Sequence, residues 1–171
     1  MPGYIIHISV ANEYMRKNPN EIKDYSKYID GVIFPDSVED KSLTHYGEKS
    51  SKVNLKKFLE ENEIEDDYNK GYFMHLVTDY LFYNKFLDCF SKDIYNDYDI
   101  LNLKLQERFN IKLPNMIRDK VFYKDGETKI LELDSVLKFI DDTSNYKLNN
   151  IREMVLDNDK EWTEFKVLRK L

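Results

Sequence analysis

Between Glu65 and Phe90 apolar residues return at helical spacing, after an acidic start at Glu65, Asp66 and Asp67. That periodicity predicts one long helix, its carboxylates at the positive end of the helix dipole. At roughly 100° per residue, Lys70, Asn84, Lys85, Asp88 and Lys92 gather on one arc, and Tyr72, Leu76, Tyr83, Phe86 and Phe90 gather opposite. His75 and Asp79 fall inside the apolar arc. They stand four residues apart, so their side chains are neighbours on one face. A carboxylate facing a core is costly unless something pairs with it. A His-x-x-x-Asp step also offers two ligands to one metal ion from a single helical turn.

The rest of the chain reads as further helices. Pro2 suits the first position of a helix running to about Lys17, and Asn18-Pro19-Asn20 breaks it. A second helix is expected over Glu21 to Ile29, ended by Asp30-Gly31. A loop follows from Phe34 to about Ser51, then a short helix from Leu55 to Asn62 capped by Asn54. Later helices are expected over 99–109, from Asp134 to Ile140, over 148–156, and over 162–168. The stretch 121–130, centred on Asp125-Gly126, predicts a small β-hairpin. With 5 Gly and 4 Pro in 171 residues, long helices are favoured over a many-turned β fold. The expected architecture is all-α and single-domain over 1–171. Its chemistry lies in a half of about 1–93, and a helical part of about 94–171 packs on it. The 13 Tyr and 10 Phe predict an aromatic-rich core.

Helix one repeats the inward-histidine pattern. Tyr4, Ile8, Ala11, Tyr14 and Met15 define its apolar arc, Asn12, Glu13 and Arg16 face away, and His7 sits with the apolar set. The loop adds Pro35-Asp36 and Thr44-His45-Tyr46-Gly47, a polar segment with no evident core role. Imidazole and carboxylate donors suit zinc, and also iron or manganese. Each residue has a plainer reading. The inward histidines could hydrogen-bond a Tyr or a carbonyl, His75 and Asp79 could bond each other, His45 could lie on the surface, and Asp36 could serve the turn after Pro35. A metal site explains all three histidines and both carboxylates together.

Charge and composition narrow the function classes. The net charge is −6, with no basic stripe, which disfavours nucleic acid and anionic membranes as partners. A phosphate substrate stays compatible, because a bound dication reverses the local potential. A lone cysteine, Cys89, forms no internal disulfide and reads as a small core residue. The first residues lack a secretion signal, and no apolar run spans a bilayer, so a cytoplasmic location is expected. The oligomeric state is left open.

The order His7, Pro35-Asp36, Thr44-His45-Tyr46-Gly47 and Gly71-Tyr72-Phe73-Met74-His75-Leu76-Val77-Thr78-Asp79-Tyr80 resembles the zinc-dependent phospholipase C family, whose fold is shared by single-strand-specific zinc nucleases. The resemblance covers roughly the first 90 residues. It implies a helical bundle of that type, and hydrolysis of a phosphoric ester by a metal-activated water. It implies one zinc held by Asp36, His45, His75 and Asp79, with Asp79 bridging to a second ion at His7. Asp36 would also be the proton acceptor. In the family, the N-terminal amine helps hold the second metal, and a third site takes two later histidines and a glutamate. No histidine follows His75 here, so the third site is expected to be missing or rebuilt from carboxylates such as Glu107 or Asp119. Tyr46 and Tyr72 are then candidate donors to the leaving group. The expectation is a reduced, intracellular relative acting on a small phosphoester. The alternative is a non-catalytic metal-binding domain on the same scaffold. An HD-type phosphohydrolase is disfavoured, because no histidine here is followed by Asp.

Overall fold

The computed structural model describes residues 3–86 and 91–157. Among them, the elements are α1 (Tyr4–Lys17), α2 (Tyr25–Ile33), α3 (Lys41–His45), α4 (Leu55–Glu61), α5 (Asp67–Lys85), α6 (Ile94–Phe109), α7 (Leu133–Ser144) and α8 (Leu148–Asp157), with 3-10 turns at Phe34–Asp36 and Asn115–Lys120. The described residues form one helical bundle without a strand. No described helix is long and apolar enough to cross a membrane.

Side-chain caps set several starts. Asp24 accepts from the backbone N–H of Lys27, Asn54 from that of Lys57, and Asp66 from that of Asn69. Each bond satisfies a donor the helix leaves open, and such caps contribute about 1 kcal/mol. The Asp24 cap corrects the second helix, which begins four residues later than Glu21 and continues through Asp30-Gly31. Residues before it are held otherwise: Tyr14 donates to the Glu21 carboxylate, and Lys70 Nζ donates to the Glu21 carbonyl at 2.8 Å.

Gly31 stays helical because α2 and α5 touch there. A Cβ on Gly31 would lie 2.0 Å from the carbonyl oxygen of Tyr68, and one on Gly71 would lie 1.9 Å from that of Tyr28. Two facing glycines let the backbones approach to a distance no other residue permits. Helix α5 is therefore central rather than amphipathic, with every residue from Gly71 to Tyr80 buried. Helix α1 packs on α2, α5, α6 and α7, while α4 and α8 pack on α5 and on each other. The core is aromatic as expected, with Tyr14, Tyr28, Phe58, Phe73 and Phe82 among its largest fully buried side chains.

The 121–130 stretch forms no hairpin. Its backbone bonds go to α6 instead of across a strand pair: Asp97 accepts from the N–H groups of Lys129, Ile130 and Leu131 at 2.9, 2.7 and 2.9 Å. Asn102 Nδ2 donates to the Phe122 carbonyl at 3.0 Å, and the Lys124 N–H donates to the Asp99 carbonyl at 3.1 Å. The stretch is thus an irregular strap laid over α6, with Gly126 at a positive φ of 128° at its bend. Helix α6 starts at Ile94, earlier than 99, and α7 starts at Leu133 and runs on to Ser144. The loop after Phe34 contains the short α3. The readings placed on Met1, Pro2, Cys89, Phe90 and 162–168 fall outside the described residues.

Candidate metal centre

His7 from α1, Asp36 from the 3-10 turn, His45 at the end of α3, and His75 with Asp79 from α5 form one buried cluster. His7, His45, His75 and Asp79 are buried to within 1% of full enclosure, and the Asp36 side chain is 7% exposed. The five residues named from the sequence are therefore brought together. Two overlapping trios, His7–His75–Asp79 and Asp36–His45–His75, each hold their ligand atoms within 4.8 Å of one another. His75 belongs to both.

Local structure aims each ring. His75 Nδ1 lies 2.7 Å from the Val32 carbonyl oxygen, a contact made possible by the α2–α5 approach at Gly31 and Gly71. His45 Nδ1 lies 2.8 Å from the Lys41 carbonyl, one turn back in α3. The His45 carbonyl in turn accepts from Asn54 N–H at 3.1 Å, which closes the following loop onto it. Thr44 Oγ1 donates to the Pro35 carbonyl at 2.8 Å and so ties α3 to the turn bearing Asp36. Tyr4 donates to the Asp36 carbonyl at 2.9 Å, and burial, with the nearby Asp36 charge, pushes its hydroxyl up to about 12. Lys41 Nζ reaches Asp36 Oδ1 at 2.8 Å.

A carbonyl oxygen only accepts, so Nδ1 of both His45 and His75 must carry the proton. In a neutral ring this leaves Nε2 as a bare lone pair. Those two Nε2 atoms face each other at 3.4 Å. Asp79 Oδ2 is 2.9 Å from His45 Nε2 and 3.5 Å from His75 Nε2, while Asp79 Oδ1 turns the other way, 3.1 Å from His7 Nε2. Asp36 closes the remaining side, with Oδ1 3.7 Å from His45 Nε2 and Oδ2 3.9 Å from the Nε2 atoms of both His7 and His75. The His7 and His75 rings stack at 3.7 Å, 6° from parallel. Neither nitrogen of His7 makes a hydrogen bond of ordinary geometry.

Acceptors converging in a dry pocket repel unless a cation sits among them. Two bonds of about 2.0–2.1 Å meeting at the tetrahedral angle separate their donor atoms by roughly 3.3 Å. The separations of His45 and His75 from each other and from the nearer oxygens of Asp36 and Asp79, 2.9 to 3.9 Å, bracket that length. The buried His/Asp cluster is thus able to coordinate a divalent ion.

The electrostatics agree. Burial and the neighbouring His75 pull His7 down to about 4 against the upward pull of Asp79, so it is a neutral ligand at neutral pH. Burial alone would push both carboxyls up. Wherever the imidazoles of His75 and His7 carry a proton, their charge outweighs burial, leaving Asp36 below and Asp79 well below the ordinary carboxylate range. Both are anionic donors at neutral pH.

Tyr72 donates to the Thr44 carbonyl at 2.8 Å, which commits its proton to structure, and Tyr46 accepts from Asn62 Nδ2 at 3.0 Å. Glu107 and Asp119 are exposed and join no metal-capable group among the described residues. Sequence reading overlooked Lys41, Tyr98 and Asn102. A cleft of about 350 Å³ beside the cluster is lined by these three with Tyr4, Asp36 and Lys120, among others. Tyr98 and Asn102 stand four apart on α6, and helical phase would have paired them. Comparison with family models, with curated proteins and with solved structures gave no significant match.

Proposed function

We propose that the chain is a metal-dependent hydrolase of phosphoric esters, with zinc as the first-choice ion. In this reading Asp36, His45, His75 and Asp79 would hold one ion, and His7 with Asp79 would hold a second. The observation that carries it is the Asp79 carboxylate, whose two oxygens address different histidines across a dry pocket. The motif order that resembles the zinc-dependent phospholipase C family supports the same scaffold and belongs to this proposal.

A bound divalent ion would supply Lewis-acid polarisation of a phosphoryl oxygen and of water. The chain's residues do the rest. The carbonyls of Val32 and Lys41 fix the tautomers of His75 and His45, so that Nε2 stays a donor. Asp36, anionic and the cluster residue in the cleft wall, is placed to accept a proton from an attacking water. Lys41, paired with it, steadies that carboxylate and presents positive charge to an anionic ester.

The second reading is a metal-stabilised domain without turnover, favoured by the near-complete enclosure of the three histidines and Asp79. The two differ in one respect: a catalytic site keeps a coordination position open, whereas a structural site is closed by protein ligands. Zinc-loaded protein is assayed against bis(p-nitrophenyl) phosphate and a panel of natural phosphoesters. Turnover that chelator abolishes and zinc restores is the expected result. Full zinc occupancy with no turnover on any ester would replace the hydrolase by the structural domain.

A further inference from the structure

Two residues that line the cleft beside Asp36 each carry a polar atom that the fold does not use. The Tyr98 hydroxyl and Asn102 Oδ1 are both buried, and neither has a hydrogen-bond partner among the described residues. Both residues line the cleft, one helical turn apart on α6. Leaving a buried polar group unmatched costs about 1–3 kcal/mol, so two together at a cleft are an expense that a ligand would relieve. The Asn102 amide is oriented by its other end: Nδ2 donates to the Phe122 carbonyl, so Oδ1 is left as a pure acceptor. The Tyr98 hydroxyl has a proton to donate. Burial, with the charges of Asp79, Tyr95 and Asp36 close by, keeps it protonated well above neutrality. Lys41, paired with Asp36, and Lys120 bring positive charge to a cleft that Asp99 also lines, and Tyr95 and Phe122 wall it.

We propose that this cleft binds a small phosphoric ester of a hydroxylated alcohol. The Tyr98 hydroxyl donates to an ester or phosphoryl oxygen, Asn102 Oδ1 accepts from a hydroxyl of the alcohol, and Lys41 and Lys120 pair with the phosphate charge. The assignment rests on the phosphoester reading of the cluster and names its substrate class. A charged acceptor on the ligand suits a lysine and a phenol. The lone acceptor on Asn102 demands a donor on the alcohol side, which a plain alkyl phosphate lacks.

Binding of glycerol 3-phosphate and of n-propyl phosphate to zinc-loaded protein is measured by calorimetry, for the wild type, Tyr98→Phe and Asn102→Ala. Wild type is expected to prefer glycerol 3-phosphate by about tenfold, Tyr98→Phe to weaken both esters about tenfold, and Asn102→Ala to lose the preference. Tyr98→Phe removes a hydroxyl with no partner, so its melting temperature should equal or exceed that of the wild type. Unchanged binding by Tyr98→Phe, or no preference in the wild type, would overturn the proposal. Phosphatidylglycerol vesicles form a second arm: protein that binds them and ignores glycerol 3-phosphate would overturn the small-ester assignment. Specific binding by zinc-loaded protein that turns over no ester of the assay panel would sink the hydrolase while the cleft stands.

Discussion

His75 donates Nδ1–H to Val32, stacks on His7, and presents Nε2 to both His45 and Asp79. His7 touches the cluster mainly through Asp79 Oδ1. These positions predict unequal losses. His75→Ala takes away the donor common to both trios and should leave the purified protein nearly free of zinc. His7→Ala should strip only the second position and retain about one ion per chain, since three or more donors still surround the first. Elemental analysis after gel filtration, with circular dichroism to verify the fold, reads this directly. Equal zinc content in the two variants would refute the shared role of His75. The inward phase of both residues was legible in helical period alone. The bare Nε2 pair was not, because it depends on carbonyls contributed by α2 and α3.

At the scale of elements, the strap over α6 depends on Asp97. Burial pushes its carboxyl up, but the N–H groups of Leu131, Lys129 and Ile130 hold it below the ordinary range. A folded value below the unfolded one means the carboxylate stabilises the fold fully above the ordinary value of about 3.9, and that its share is lost as pH falls through the lower folded value. Asp97→Ala should therefore cost about 2 kcal/mol or more near pH 7, by stranding three backbone donors. The gap between wild type and variant should shrink near pH 3. Urea unfolding of both proteins at the two pH values measures it, and a gap that stays constant would contradict the assignment. The strap was misread as a hairpin because Asp125-Gly126 is a genuine turn signal. Local sequence has no means of showing that an α6 carboxylate captures the neighbouring N–H groups.

For the whole molecule, an ion bound only by the folded state stabilises it by mass action. At a thousandfold excess over Kd the gain is about 4 kcal/mol, which for a domain of this length raises the melting temperature by about 8–16 °C. Zinc should produce a rise of that order, chelator should reverse it, and His75→Ala should abolish it. A melting temperature indifferent to zinc would count against the metal centre in either reading. The ligands come from α1, the turn before α3, α3 itself and α5, so the ion would join elements that α2 and α5 alone do not hold.

What the sequence determined by itself is what a single helix can express. Period places His7, His75 and Asp79 inward, and the shortage of Gly and Pro, together with the capping residues, makes the chain helical. Asp36 and His45 lie on segments without period and are reached by resemblance of motif order. Tertiary structure decided the rest. The Gly31–Gly71 approach sets Val32 against His75, α3 turns His45 toward Asp79, and the strap closes the cleft over Tyr98 and Asn102. Each of these is a contact between segments far apart in the chain. Its energy comes from burial and from pairing polar groups across elements, and neither leaves a mark in local spacing.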